Sequence, residues 1–481
     1  MHIVDMVYFW ARTTPRHPAV LQTDGTVTYR SLAQGIEAAA EHFARSIPDR
    51  SQAIVVSLPS PPKMLIASLG LLRAGYSIIV ANQPDLPHIT GSDAGTLVYE
   101  RGQPTLGDRT NIVFDERWLE VGAVSRSADR PLPQPRTRDA EIYFFTSGTT
   151  GRPKRVVRTQ GAWDQRILFN GTSAFADYDR ALLTTGVNNA MGFTRAYEVL
   201  YAGKTLCFAP PGLPTLWLVN TYDIDQIIAS PQQALGLAEL QEKVARYPLA
   251  ALRTIRIGGS VLSAEGIQRI KNHLCRNVIL AYSSTEAGIV ALAPHDMIAH
   301  IPNAVGFLVP DSELQIVDAE DNILPAGSEG FVRLRTVQFL ANFQIEDSNT
   351  WFYSGDVGWL TEEGVLCIAG RKGDVVNRGG VKLSVTDFEE FLKVCPGVRD
   401  AGVCTLMGAS GHDEIWIGLV LEPSADMGAL RAKIESDANF GTNIDKLFVV
   451  ETIPRGSLGK VKRDELKQAL QAIAEETAAA G

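Results

Sequence analysis

A glycine loop rich in hydroxyls, two carboxylates and a late lysine are the groups in this sequence whose types and spacing could do chemistry. The loop is Thr146-Ser147-Gly148-Thr149-Thr150-Gly151-Arg152-Pro153-Lys154, running out of the strand-like Glu141 to Phe145. Its glycines let the backbone curl, its hydroxyls and N–H groups can surround phosphate oxygens, and Lys154 adds a point charge. The glycine and lysine spacing is not that of a Walker loop, and a polar hairpin turn is the structural alternative. A second strand-like run, Leu252 to Ile257, ends in Gly258-Gly259-Ser260, and a third, Asn277 to Ala281, ends in Tyr282-Ser283-Ser284-Thr285-Glu286. A tyrosine can stack on a base, and a glutamate beside hydroxyls suits Mg2+ shared with phosphates. Each segment alone also reads as an ordinary loop. Asp356 falls on a glycine-flanked turn within Trp351 to Leu360, and Lys460 closes the loop Pro454-Arg455-Gly456-Ser457-Leu458-Gly459-Lys460. Such a lysine alone is usually surface decoration.

The elements that must carry these groups alternate between helix and strand. Tyr29 to Ile47 sets Leu32, Ile36, Ala40 and Phe43 on one stripe, which predicts a helix. Gln52 to Leu58 and Ser77 to Val80 read as strands around a helix over Pro62 to Ala74, and Arg155-Val156-Val157 as strand. A helix is expected to begin near Ser263. Repeated alternation argues for an α/β sheet, and the ligand edge of such a sheet lies beyond the carboxyl ends of its strands. Near Gly370 to Gly373 the pattern changes. Asp374 to Leu383 then carries a Gly379-Gly380 turn, a helix follows over Ser384 to Val394 with Ser384 and Asp387 as a capping pair, and Lys462 to Ala480 closes as a helix. The expected fold class is α/β: a large N-terminal domain over 1–370, a hinge at 371–373 and a small mobile α+β domain over 374–481. Pro131 to Arg138 reads as a surface connector.

Composition excludes several classes. Of 481 residues, 45% are hydrophobic and 21% charged, enough for a large core and unlike a disordered chain. A net charge of −9 argues against sequence-independent nucleic-acid binding, so any polyanion must be held by a local pocket. The 5 cysteines are widely spaced with no CxxC, which argues against a disulfide framework or thiolate zinc and for a reducing compartment. No secretory start and no transmembrane run is visible, so a cytoplasmic protein is expected.

FFTSGTTGRPKRV, YSSTE, YSGD, GRKGDVVNRGG and PRGSLGKVKR occur in the order seen in the ANL adenylate-forming superfamily, and nearly the whole chain resembles it. The resemblance implies two steps: a carboxylate attacks the α-phosphate of Mg-ATP to give acyl-adenylate and pyrophosphate, then a thiol displaces AMP. It implies that Thr146 to Lys154 grips the β- and γ-phosphates. Gly258, Gly259, Ser260, Ala281, Tyr282, Ser283 and Ser284 would line the adenine and acyl pockets, with Tyr282 on the adenine face. Thr285 would contact the α-phosphate and Glu286 would hold Mg2+. Asp356 and Arg371 would bind the ribose. Lys460 would bridge the acid and the α-phosphate, and a rotation of the small domain would then withdraw it and bring Gly379 and Gly380 to a pantetheine tunnel. Acyl-pocket candidates are Trp163, Asn189, Met191, Phe193, Gly258, Gly288 and Ile289, which equally suit a core.

Several positions depart from the family pattern. Arg155 stands where the phosphate loop usually has glycine, Gly373 where the hinge often has Asp or Lys, and Asn189 where a His or aromatic often gates the pocket. The chain is shortened between Asn82 and Arg138. No acid occurs over Asn188 to Met191, where amino-acid-activating relatives usually carry an Asp, so a plain carboxylic acid is favoured. The expected cofactors are ATP, Mg2+ and CoA or a carrier-protein phosphopantetheine. The expected activity is an acid–CoA ligase, with a stand-alone ligase loading a carrier protein as the alternative and a non-catalytic ATP-binding relative as the third reading. A monomer or homodimer is expected.

Overall fold

The computed structural model describes residues 3–479, apart from 90–93, 104, 106, 108–109, 120–139, 147–153, 160–176, 260–261, 343–344, 346, 348, 372–374, 379–380, 408–412, 437–443 and 457–458. Helices and strands alternate as the hydrophobic pattern predicts. Tyr29–Ser46 is a helix with Thr28 as its N-cap, and Pro61–Ala74 is a second, almost wholly buried one. Ala53–Ser57 and Ile78–Val80 are fully buried parallel strands, consistent with their continuous apolar runs.

Two large sheets carry the chemistry-bearing loops. In the first, Ala53–Ser57, Ile78–Val80 and Glu141–Thr146 run parallel, and Lys154–Thr159 returns antiparallel beside Glu141–Thr146 as the edge strand. Thr146 pairs with Lys154, so the glycine loop is the connection of a hairpin. The second sheet has a parallel run in the order Val278–Ser284, Thr254–Gly258, Gln226–Ala229, Arg180–Leu183 and Thr205–Cys207. Antiparallel strands from Gly288–Pro294 to Phe352–Leu360 and Val365–Arg371 extend it on one side. Helices Tyr29–Ser46, Pro61–Ala74 and Ala190–Tyr201 share one core with strands of both sheets; Phe43, Leu65, Phe144, Leu183 and Phe193 meet there. Burial at this scale is the main stabilising term of the fold.

The last hundred residues build a separate core. Val398–Met407, Asp413–Leu421 and Lys446–Val449 form a three-stranded sheet, with Val385–Lys393 and Met427–Glu435 on one cluster and Arg463–Ala479 on another. Glu389 ties them: it accepts from Val403 N at 2.9 Å and from the Arg463 guanidinium, and burial pushes its carboxyl up despite that cation. Val375–Arg378 and Val381–Ser384 form the hairpin whose connecting residues, Gly379 and Gly380, lie outside the described residues. The side chains of the capping pair Ser384 and Asp387 lie outside them as well.

Two local readings are corrected. Tyr282, Ser283 and Ser284 are not beyond a strand end: the strand runs Val278–Ser284 and pairs antiparallel with Gly288–Pro294, so only Thr285 to Ala287 turn. Ser and Thr hydroxyls suppressed the strand signal, but here the partner strand holds the backbone, and Ser284 Oγ accepts from Ala287 N at 3.0 Å to close the turn. Asp356 is likewise not on a turn. It sits inside Phe352–Leu360, between strands Gly330–Thr336 and Val365–Arg371. Gly355, at φ 78°, and a bulge after Val357 let this strand bend without ending.

All five cysteines are buried free thiols; burial pushes the Cys207 thiol up to about 12. Among the described residues, no helix is long and apolar enough to cross a membrane.

Candidate active site

Register brings the separate motifs to one edge. Gly258 pairs with Ala281, so the ends of two adjacent parallel strands lie side by side. A Cβ on Gly258 would stand 3.0 Å from the Ala281 carbonyl, so the small residue permits this close approach. Gly259 follows at φ 104°. The next residue, Tyr282, donates its hydroxyl to the carboxylate of Asp356, which is 8% exposed. Asp356 pairs in register with Arg371 across the neighbouring strand, and its N–H reaches Ser354 Oγ at 3.1 Å. Strand pairing thus gathers the carboxylate and the backbone of the arginine, and the tyrosine reaches them by its hydroxyl from a strand that is not adjacent in the sheet. A cavity of about 360 Å³ opens beside Asp356; Asp318, Asp321 and Tyr353 on its other walls make it unsuited to phosphate.

Arg158, which the sequence reading did not single out, links this edge to the hairpin that carries the glycine loop. It sits on Lys154–Thr159 and is 2% exposed. Its guanidinium donates to the backbone carbonyl of Thr285 and to Thr194 Oγ1 at 3.1 Å, and lies 5.2 Å from the centre of the Phe144 ring. Burial pulls its basicity down to about 10, with the charge of Glu286 pulling back and Arg195 adding to the fall. One side chain therefore joins the hairpin, the first helical turns of Ala190–Tyr201 and the Thr285–Glu286 turn. The sequence carried no local signal for it: its strand reads Lys-Arg-Val-Val-Arg-Thr, and Arg158 is one of three basic residues there. Arg256, on strand Thr254–Gly258 of the other sheet, is also buried and pulled down to about 10 by burial, with Arg195 adding to it and Glu198 opposing.

The acyl-pocket candidates divide. Asn189 is the N-cap of Ala190–Tyr201: it accepts from Gly192 N at 2.9 Å and donates to the Thr185 carbonyl at 2.8 Å, so its side chain is committed to the helix start. Gly192 is sterically required, since a Cβ would stand 1.6 Å from the Gly186 carbonyl. Phe193 is wholly buried, packed 5.6 Å from Phe144 and 4.6 Å from Tyr197. Met191 is half-buried at the helix start. Ile289 is buried and pairs with Ser283, and Gly288 pairs with Ser284 at φ 87°.

Lys460 comes from the other core, on a hairpin. Gly456 N donates to the Lys460 carbonyl at 2.8 Å, Lys462 N to the Pro454 carbonyl at 2.8 Å, and Gly459 N to the Gly456 carbonyl at 2.9 Å. Arg455 braces it, donating to Asp400 Oδ1 at 2.6 Å and Oδ2 at 2.9 Å and to the Gly459 carbonyl at 2.6 Å. Gly459 rests on Gln232, in the first turn of Pro231–Val244, the helix that follows strand Gln226–Ala229. The lysine hairpin therefore meets the large domain at the carboxyl ends of the parallel strands.

Ser147, Gly148, Thr149, Thr150, Gly151, Trp163 and Ser260 lie outside the described residues, as do the side chains of Thr146, Lys154 and Arg371. Among the described residues no cluster of three His, Cys, Asp or Glu side chains forms a metal site. The arrangement fits Mg2+ in another way: a hard cation that keeps phosphate oxygens needs only one or two protein carboxylates, and Glu286 stands on the turn held by Arg158.

Comparison with known proteins agrees with this geometry. The AMP-binding enzyme family matches residues 8–341. Enterobactin synthase component E of Escherichia coli is 26% identical, over 94% of this chain and 91% of its own. The D-alanine--D-alanyl carrier protein ligase of Bacillus mycoides is 23% identical, over 86% of this chain and 87% of its own. The solved o-succinylbenzoate CoA synthetase of Bacillus subtilis, in complex with its acyl-adenylate intermediate, superposes with a TM-score of 0.80 at 21% identity, covering 96% of this chain and 97% of that one. The same synthetase has also been solved with ATP and magnesium ion. The chain belongs to the AMP-binding enzyme family of the ANL adenylate-forming superfamily.

Proposed function

We propose that this adenylate-forming ligase is an ATP-dependent acid–thiol ligase: it adenylates a plain carboxylic acid and transfers the acyl group to CoA. The observation that carries the reading is the contact of the Lys460 hairpin, through Gly459, with Gln232 at the helix start after Gln226–Ala229, the strand that pairs with Thr254–Gly258. A carboxylate and a triphosphate repel each other, so the first step needs charge neutralised where the two anions meet.

In the first step one carboxylate oxygen of the acid attacks the α-phosphorus, and the bond to the bridging oxygen breaks to release pyrophosphate. Lys460 holds the acid and the α-phosphate together. The Thr146 to Lys154 loop holds the outer phosphates, Thr285 the α-phosphate, and Asp356 with Arg371 the ribose. Tyr282 stacks on adenine and steadies Asp356 through its hydroxyl. Gly259, Ser260, Ala281, Ser283 and Ser284 complete the walls. Glu286 would hold Mg2+, which when bound would supply Lewis-acid stabilisation of the leaving charge. In the second step a thiolate attacks the acyl carbonyl, AMP leaves, and the thiol proton goes to solvent. Residues 374–481 turn about 371–373 between the steps, taking Lys460 away and bringing Gly379 and Gly380 to the thiol arm.

A second reading has a specific support: a relative of nearly full length is a carrier protein ligase. In that case the acceptor is a phosphopantetheine on a partner protein. A panel of carboxylic acids, read by pyrophosphate release with CoA, with a phosphopantetheinylated carrier and with neither, tests both. Release that rises only with the carrier selects the second reading; no release with any acid removes both.

A further inference from the structure

We propose that Gln232 and Gly459 form the seat on which the lysine hairpin closes, which makes Gln232 a positioning residue for the first half-reaction. The inference rests on the acid–thiol ligase reading above. Gly459 is left-handed at φ 80°, and a Cβ there would stand 1.9 Å from Gln232 Oε1 and 3.2 Å from Gln232 Cβ. The Gln232 side chain thus packs directly on the Gly459 backbone, from a segment more than two hundred positions away in sequence, and the missing side chain of glycine leaves room for it.

Both sides of the contact are held. On the hairpin side, Arg455 clamps the Gly459 carbonyl at 2.6 Å while its other bonds fix it to Asp400 and to the Ala401 carbonyl at 3.0 Å. The neighbouring Gly456–Lys460 bond closes the loop, so a shift at Gly459 is carried to Lys460. On the other side, Gln233 completes a capping box with Ser230, donates to the Thr184 carbonyl at 2.8 Å and accepts from Thr184 Oγ1 at 2.9 Å. The helix start that bears Gln232 is thereby tied to the ends of strands Arg180–Leu183 and Gln226–Ala229. A rigid hairpin on a rigid seat fixes how far the lysine reaches across the strand edge. Misplacing a reacting group by about 1 Å can cost on the order of a hundredfold in rate. Acyl transfer to the thiol does not use this lysine and should not feel the seat.

Gln232 is exposed on its helix, so Gln232→Trp should leave the melting temperature unchanged while filling the space above Gly459. The expected result is a fall of at least about tenfold in acid-dependent exchange of pyrophosphate into ATP. Transfer from supplied acyl-adenylate to the thiol should stay at the wild-type rate. Gly459→Ala should lose exchange in the same way, and adding Gln232→Ala to it should recover the part of the loss that comes from overlap with Gln232, leaving the part due to the left-handed backbone. In Gln232→Lys, a short amine-reactive linker should join position 232 to Lys460, a readout independent of turnover. Equal loss of both half-reactions in Gln232→Trp, loss of neither, no recovery in the double variant, or no cross-link would overturn the proposal. A wild-type protein that exchanges pyrophosphate with no acid would overturn the parent reading instead, and the cross-link would still decide the seat.

Discussion

At the scale of single residues the site is a set of charges whose positions are set by neighbours. Arg158 is the clearest case, because it touches the Thr285 carbonyl and Thr194 and none of its atoms needs to meet substrate. A hydrogen bond from a charged donor contributes about 1.5–3 kcal/mol. Arg158→Met should therefore lower the rate of adenylate formation by one to two decades at saturating ATP, and Arg158→Lys should recover part of it by restoring charge without the fork. If the variant changed only KM for ATP, the positioning role would be wrong. Lys460→Ala should cost about 3–4 kcal/mol in the first half-reaction, as for one preorganised charge. Stopped-flow assay of thiol acylation from supplied acyl-adenylate should show the second half intact. Glu286→Gln should raise the Mg2+ concentration needed for half-maximal exchange; an unchanged requirement would remove the glutamate from the metal.

At the scale of elements, apolar periodicity was legible and polar strand ends were not. Tyr29–Ser46, Pro61–Ala74 and Ala53–Ser57 follow from their burial patterns to within a residue or two. Tyr282 to Ser284 and Asp356 were read as loop because local propensity counts hydroxyls and aspartate against strand. Their strand state is imposed by pairing with Gly288–Pro294 and Val365–Arg371, which no local window contains. For the same reason the candidate residues of the strand edge could be named from motifs, whereas Arg158 and Gln232 could not: their meaning lies in contacts more than a hundred positions away in sequence. Asn189 shows a role that the motif did not announce. Its side chain caps the helix, because an amide beside a helix start bonds to the orphan N–H groups. Gly192→Ala should destabilise the protein, since its methyl group would overlap the Gly186 carbonyl and force the helix start away. Thermal melting that matched the wild type would show that this turn yields without cost.

At the scale of the whole molecule, the clusters that pack the two large sheets are distinct from those of the last hundred residues. The largest cluster packs three helices against strands of both sheets, and the last hundred residues hold together partly through Glu389. Burial raises the folded-state pKa of Glu389, so its linkage favours the folded state below the unfolded carboxyl pKa and is lost as pH rises through the folded value. Relative to Glu389→Gln, which lacks this titration, the wild type should lose stability as pH is raised from the ordinary carboxylate range toward neutrality. Urea melts of both proteins across that window check the sign, and a difference independent of pH would contradict it. The net charge of −9 makes the positive groups near the strand edge a local arrangement and not a general feature of the surface.

The whole account depends on an acid being joined to AMP at this edge by the lysine of the smaller core. Acid-dependent exchange of labelled pyrophosphate into ATP, run with the wild type and with Lys460→Ala on the same acid panel, measures that most directly. The account predicts exchange with at least one acid in the wild type and a loss of two or more decades in the variant, about the effect of one preorganised charge. Exchange that survives without Lys460 would contradict it.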